Sequence, residues 1–253
     1  MLINTFCHIP GIGAKTEEKL WNAGIHNWDM FQEKEIHPFS KRKVESILPV
    51  LRESKEHLVN RNPYFFGQYL PVNQYWRLFP EFRDSIAYID IETTGLENWC
   101  NEITTIALYD GQMIHTYVNG RNLDDFVRDI DRYKVIVTYN GRCFDVPFIE
   151  QYFRIRLDQV HIDLRFILKS LGFSGGLKGC ERQMGIDRGD LADMDGYYAV
   201  ILWNEYQRTG DKRKLSLLLE YNSADAKNLE ALMVNAYNMK LRNTPFYEMF
   251  RIS

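Results

Sequence analysis

Four carboxylates fall in order along this 253-residue chain. They are Asp90 and Glu92, then Asp145, then Asp225, with Tyr221 one helical turn before the last. Acidic side chains gathered in one place repel one another unless cations neutralise them. Such a cluster suits divalent metal ions and, through them, hydrolysis of phosphodiesters. Whether the chemistry exists depends on the elements that carry the acids and on whether those elements can converge.

The run at residues 85–91 (SIAYIDI) is a short β-rich stretch of the kind found in a central strand buried on both faces. Side chains alternate along a strand, so Asp90 and Glu92 point the same way, at the carboxyl end where Thr93-Thr94-Gly95 turns the chain aside. Ligands collect at that end of open α/β sheets. Residues 102–110 and 112–120 predict two further strands joined through Asp110-Gly111, a two-residue hairpin signal. A helix over 123–132 leads into KVIVTYN, a fourth strand, and Phe148, Ile149, Tyr152 and Phe153 mark one face of the next helix. VHIDL predicts a fifth strand, and everything beyond it reads as helix. A mixed five-stranded sheet flanked by helices follows, an α/β fold.

In this scheme Asp145 follows the Asn140-Gly141 turn at the start of a helix, with Pro147 tolerated in the first helical turn. A fourth strand parallel to the first would bring Asp145 beside Asp90. Asp225 lies on a long helix over 212–238, where Tyr221, four residues earlier, shares its face. Leu215, Leu218, Leu229 and Leu232 form the stripe that would dock this helix on the sheet. Taken singly, an acid pair at a strand end, a helix cap or an i,i+4 surface pair explains each piece. Taken together, in order and at element ends, the pieces point to one site. Asp163, at the end of the fifth strand, fits better as the helix N-cap of LRFILKSLG than as an outer member of the cluster.

These residues resemble the motifs of the DEDD superfamily of 3′–5′ exonucleases, which have an RNase H-like fold. Residues 89–96 (IDIETTGL) look like the first motif, 140–145 (NGRCFD) like the second and 221–225 (YNSAD) like the third. Position 220 is Glu and position 221 is Tyr, so the third motif resembles that of the branch with tyrosine four residues before the last acid. From Trp76 onward the chain is most similar to the YprB-like group of predicted exonucleases. The resemblance implies a two-metal mechanism, with Mg²⁺ or Mn²⁺ suited to an all-oxygen site. It implies that Asp90 bridges both ions, that Glu92 and Asp225 complete the water-activating site, and that Asp145 serves the second ion. Tyr221 would orient the attacking water rather than act as base. Asn140, in the second motif, is expected to contact nucleic acid. An RNase H-like endonuclease and a catalytically inactive nucleic-acid-binding adaptor are the competing readings.

Residues 1–60 read as a small all-α module. Pro10-Gly11-Ile12-Gly13 turns tightly ahead of a helix over 15–23, a short helix follows around 28–32, and an amphipathic helix covers 40–58. The run Ile9–Lys15 with Lys19-Leu20 resembles a helix-hairpin-helix motif. In that family the glycine turn presents backbone N–H groups to a DNA phosphate. Gly11, Gly13 and Lys15 are therefore candidate nucleic-acid contacts. Lys plus Arg and Asp plus Glu are eight each through Asn60, which argues against strong binding by this module alone. Residues 61–83, rich in aromatics and broken by Pro63, Pro71 and Pro80, are expected to form an irregular connector ahead of a catalytic domain over 84–253.

Composition bounds the rest. An apolar share of 45% with 26% charged residues suits a globular protein. No uninterrupted apolar run approaches the ~20 residues that span a bilayer. The first residues lack a basic leader, so neither a secretory signal nor membrane insertion is expected, and a cytoplasmic setting is. The net charge of −3 excludes a broadly basic coat but not local basic patches; the partner that the resemblance implies is DNA or RNA, as a single-stranded 3′ end. Cys7, Cys100, Cys143 and Cys180 form no closely spaced pair, which argues against zinc and suggests reduced thiols used as small hydrophobes.

Overall fold

In the computed structural model of the protein, which describes residues 1–97 and 100–252, contacts divide the chain into two units. One comprises Met1–Arg83 and the residues from Tyr237 onward; the other is Asp84–Ala236.

The first unit begins with helices α1 (Ala14–Asn22), α2 (Trp28–Glu33), α3 (Lys41–Val59), α4 (Pro63–Tyr69) and α5 (Phe79–Phe82). Gly13 stands at the N-cap of α1. Asn27 and Ser40 cap the next two helices through their side-chain oxygens, which accept from Met30 and Lys43 N–H. Leu20, Trp28, Phe31, Ile47, Leu51 and Phe66 form the buried interior. Within it Glu17 is fully buried, and a carboxylate there needs partners. It accepts from Thr5 Oγ1 at 2.7 Å and Phe6 N at 2.6 Å, and pairs with Arg77 at 2.7 Å. The first unit also holds the end of the chain, where Phe246 meets Trp21 edge-on, with ring centroids 5.3 Å apart.

Residues 61–83 are helical, not irregular. Their prolines mark helix starts: Pro63 opens α4 behind an Asn62 cap, Pro71 precedes a 3-10 helix over Val72–Leu78, and Pro80 lies in the first turn of α5. Proline is tolerated there because the first turn leaves its N–H groups unpaired anyway.

The second unit is built on strands β1 (Ile86–Thr93), β2 (Ile103–Tyr109), β3 (Ile114–Val118), β4 (Val135–Thr138) and β5 (Val160–Asp163), ordered β3-β2-β1-β4-β5. β1 pairs antiparallel with β2 and parallel with β4, as the placement of Asp145 requires. The expected hairpin is present, but its turn is centred one residue later. Asp110 N–H pairs with Met113 C=O, and Gly111 takes φ +90°. Asp110 spends its carboxylate on the Gln112 and Met113 amides instead.

Helices α6 (Asp125–Ile130), α7 (Asp145–Phe153), α8 (Leu164–Ser170), α9 (Gly176–Gln183), α10 (Gly196–Thr209) and α11 (Lys212–Leu241) complete the sheet's surroundings, and α12 (Tyr247–Phe250) follows in the first unit. Ala87, Ile89 and Ile91 of β1 pack with Phe126, Ile130, Phe148 and Ile149 of α6 and α7. The alternate residues, Asp90 and Glu92 among them, therefore belong to the opposite face. A second apolar cluster joins Val118 to Leu202 and Trp203 of α10 and to Leu215, Leu218 and Tyr221 of α11. The result is a mixed five-stranded sheet flanked by helices.

Among the described residues no helix is long and apolar enough to cross a membrane. Cys7 and Cys180 are buried, but Cys100 and Cys143 are exposed, so the role of small interior hydrophobe fits only two of the four.

Candidate active site

The four acids converge. Ligand oxygens of Asp90, Glu92 and Asp225 all lie within 4.8 Å of one another. β1 delivers the first two through its period of two, and a register shift against β2 between Glu92 and Thr93 bends the strand end that carries them. α11 delivers Asp225, with Tyr221 buried one turn earlier.

Asp145 arrives by another route. The last β1 pairing with β4 is Tyr88↔Val137, so β1 runs on past its neighbour. Ile91 N–H, beyond that pairing, donates to Asp145 Oδ1 at 3.3 Å. The acid at the start of α7 thus caps an amide of the strand that holds Asp90.

The turn leading to Asp145 is tightly specified. Asn140 takes φ +66°, a left-handed conformation that asparagine tolerates better than most residues. A Cβ at Gly141 would lie 2.3 Å from Thr138 Oγ1 and 2.6 Å from Thr138 Cβ. Gly141→Ala is expected to cost about 1–3 kcal/mol through this overlap, readable as a lower denaturant midpoint. Asp163 fastens the same turn: it accepts from Asn140 N at 2.8 Å, Arg142 N at 3.0 Å and, as the α8 N-cap, Arg165 N at 3.0 Å. Its cap role is observed, and the structure adds a second task, holding the Asn140 turn.

Asn222 and three charged residues near the cluster were not foreseen from the sequence. Asn222, fully buried, donates from Nδ2 to Asp90 Oδ2 at 2.7 Å and to Asp90 C=O at 3.1 Å, while its Oδ1 accepts from Thr105 Oγ1. It lies three residues before Asp225, on the same helical face, and that spacing was the available signal. Arg188 donates through Nη2 to Asp225 Oδ1 and forms a fork onto Glu181. Lys178 Nζ and the Arg188 guanidinium lie 5.0 and 5.9 Å from the Tyr221 ring centroid. No local motif announces Lys178, Glu181 or Arg188.

Electrostatics follow from crowding and burial. Asp90 and Glu92 have carboxyls held well above the ordinary range, first by burial and then by Asp225 and the other acids. Burial pushes Asp145 up to about 7, against the pull of the Ile91 amide. Burial raises Asp225 to about 6, with Arg188 opposing. The Tyr221 phenol is also pushed up, by burial and then by Asp225, Glu92 and Asp90, so it stays protonated. Acids this reluctant to ionise become full carboxylates when a cation joins them. Three carboxylates with an all-oxygen donor set fit Mg²⁺ or Mn²⁺ better than zinc.

A cleft of about 600 Å³ opens onto Asp90 and Asp145 and is also lined by Asn140, Phe144, Arg165 and Lys169. Cations and an aromatic ring beside acids are what a charged backbone with stacking bases would meet. The predicted nucleic-acid contact Asn140 is therefore on the cleft wall, its side chain paired with Arg165. In the first unit Gly11, Gly13 and Lys15 are exposed around the predicted turn, with Gly11 at φ +78° and Lys43 Nζ donating to Pro10 C=O at 2.8 Å.

The family model RNase_H_2, of the RNase_H superfamily, matches residues 87–237. The chain belongs to the RNase H superfamily. All four acids and Tyr221 fall inside the matched span. No curated protein matches the sequence. Among solved structures, this RNase H superfamily chain is similar to the family B DNA polymerase from the hyperthermophilic archaeon Pyrobaculum calidifontis, at 20% identity and a TM-score of 0.48. That likeness covers 66% of this chain and 27% of the polymerase.

Proposed function

We propose that the protein is a metal-dependent 3′–5′ exonuclease of the tyrosine branch of the DEDD superfamily, in its YprB-like group, acting on DNA or RNA. The observation that carries this reading is the meeting of Asp90, Glu92 and Asp225 oxygens within 4.8 Å, with Asp145 tied to the same strand and Tyr221 one turn before Asp225. Asp90, Glu92 and Asp225 would hold one divalent cation, and Asp145 together with Asp90 a second. Such ions activate water and neutralise charge building on the scissile phosphate.

The chain's own groups do the positioning. Asn222 holds one oxygen of Asp90, and the Ile91 amide holds one oxygen of Asp145. Neither carboxylate needs to reorganise much when a strand arrives. Tyr221, protonated and buried, can donate a hydrogen bond to the attacking water but cannot serve as its base. Tyr221→Phe is expected to lower kcat by about 10- to 100-fold through misorientation, with KM for the oligonucleotide and the unfolding temperature unchanged. Arg165 and Lys169 supply phosphate contacts in the cleft. The glycine turn at Gly11–Lys15 supplies a second, sequence-independent grip on the backbone, as in helix-hairpin-helix modules.

The test is product polarity. Single-stranded DNA and RNA labelled at the 5′ end should yield a ladder shortened one nucleotide at a time in Mn²⁺. The same strands labelled at the 3′ end should release the label at once. Cutting of a circular single strand would replace this reading by an endonuclease, and binding without hydrolysis would replace it by an adaptor.

A further inference from the structure

Asp225 is held by a buried polar group drawn from α9, the segment after it and α11. Arg188 sits at the centre, with its side chain 4% exposed. Its Nε donates to Glu181 Oε2 at 2.5 Å and its Nη2 to Glu181 Oε1 at 2.9 Å, a two-pronged fork. The same Nη2 donates to Asp225 Oδ1. Asn228, one turn beyond Asp225 on α11, donates from Nδ2 to Glu181 Oε1 at 2.9 Å and closes the group. Glu181 itself is fully buried.

Burying three charges is a poor way to gain stability, because desolvation commonly cancels the attraction and apolar side chains of similar volume do as well. The placement of the group gives it another use. Of the two Asp225 oxygens, Oδ1 is engaged by a cation that cannot leave without abandoning Glu181. Asp225 can then offer an incoming metal ion a single oxygen, Oδ2, in a fixed direction. Glu181 matters as much as Arg188: by neutralising the guanidinium, it keeps Arg188 from drawing Asp225 away from the cluster.

We propose that Arg188, clamped by Glu181 and Asn228, is the positioning residue that presents Asp225 to the divalent cation, and that Glu181 sets how strongly Arg188 competes for that carboxylate. This inference rests on the hydrolytic reading above. Arg188 is not a catalytic residue; it acts through Asp225.

The experiment measures Mn²⁺ binding by calorimetry on the full chain without nucleic acid, alongside oligonucleotide hydrolysis as a function of Mn²⁺. The variants are Arg188→Lys, which keeps the charge but loses the fork, and Glu181→Gln, which frees Arg188 to bind Asp225 more tightly. Both should weaken Mn²⁺ binding by about 10- to 100-fold, the usual size of losses when a group orienting a metal ligand is changed. Both should raise the half-saturating Mn²⁺ for hydrolysis by a similar factor, with KM for the oligonucleotide unchanged. If either variant fails to fold, Glu181→Gln combined with Arg188→Met, which removes the cation and its partner anion together and leaves Asp225 unclamped, should show the same weakened binding. Wild-type Mn²⁺ affinity in the folded variants, whatever their thermal stability, would overturn the proposal and leave the hydrolytic reading standing. Absence of both Mn²⁺ binding and hydrolysis in the wild type would overturn the two together.

Discussion

Asparagine in place of Asp90 is expected to abolish hydrolysis while raising the unfolding temperature of the metal-free protein. Asp90 feels Asp225, Glu92 and Asp145 at once, so its carboxylate is the member of the cluster most exposed to like charge. Removing that charge takes away an oxygen that two cations would share. The expected loss is about 1,000-fold or more in kcat, about 4 kcal/mol of transition-state stabilisation. Stability should move the other way. Asparagine keeps the shape and can still accept from Asn222, whereas the buried charge and its repulsion disappear, a gain of about 1–2 kcal/mol. Thermal melts in EDTA and rate measurements in Mn²⁺ on the same preparations check both halves. A variant that melts lower yet retains activity would contradict the assignment of Asp90.

The metal-free protein is also expected to lose stability as the pH rises from about 4 to about 7, and to regain it when Mn²⁺ is added. Burial pushes the folded carboxyls of Asp145 and Asp225 up to about 7 and about 6, against 3.8 for an ordinary aspartate. Asp90 and Glu92 are displaced in the same direction. Between the unfolded and folded values the native state binds more protons than the unfolded chain, so stability falls with rising pH. The contribution is fully present below about pH 4 and gone above the folded values. A tenfold difference in proton affinity between folded and unfolded chain is worth about 1.4 kcal/mol, so the fall across the window should reach on the order of several kcal/mol. Mn²⁺ competes with those protons, and its effect on the melting temperature should be small at about pH 5 and large at about pH 8. Melts across that range, with EDTA or Mn²⁺, are the measurement. A Mn²⁺ effect of the same size at every pH, or a metal-free stability that rises through the window, would exclude a cluster of protonated acids awaiting a cation.

The reach of the sequence differs from residue to residue, for physical reasons. Asp90 and Glu92 could be paired because a strand repeats every two residues, and Tyr221 with Asp225 because a helix nearly repeats every four. Asp145 needed one further assumption, a parallel fourth strand, and the observed β1–β4 pairing supplies it. The order of elements was enough for a mixed sheet flanked by helices. The Arg188 group was out of reach because its members, Glu181, Arg188, Asp225 and Asn228, meet only after α9 and α11 have folded against one another. Arg188 stands 37 residues from its partner Asp225, in a segment with no helical or strand period. The prolines of residues 61–83 misled for a local reason: proline breaks a helix interior but starts a helix well, and composition alone does not tell the two apart. The grouping of residues from Tyr237 onward with the N-terminal helices was hidden by α11, whose pattern runs unbroken through Leu241.

The most direct test of the central claim, that these acids form a divalent-cation centre, is the location of the ion. Crystals of the wild type and of Asp90→Asn, grown without chelator and soaked in Mn²⁺, should be measured at the manganese absorption edge. An anomalous peak bounded by Asp90, Glu92 and Asp225 is expected in the wild type, and its loss in the variant. Mn²⁺-dependent hydrolysis with no peak among those three residues, or a peak that survives Asp90→Asn unchanged, would contradict it.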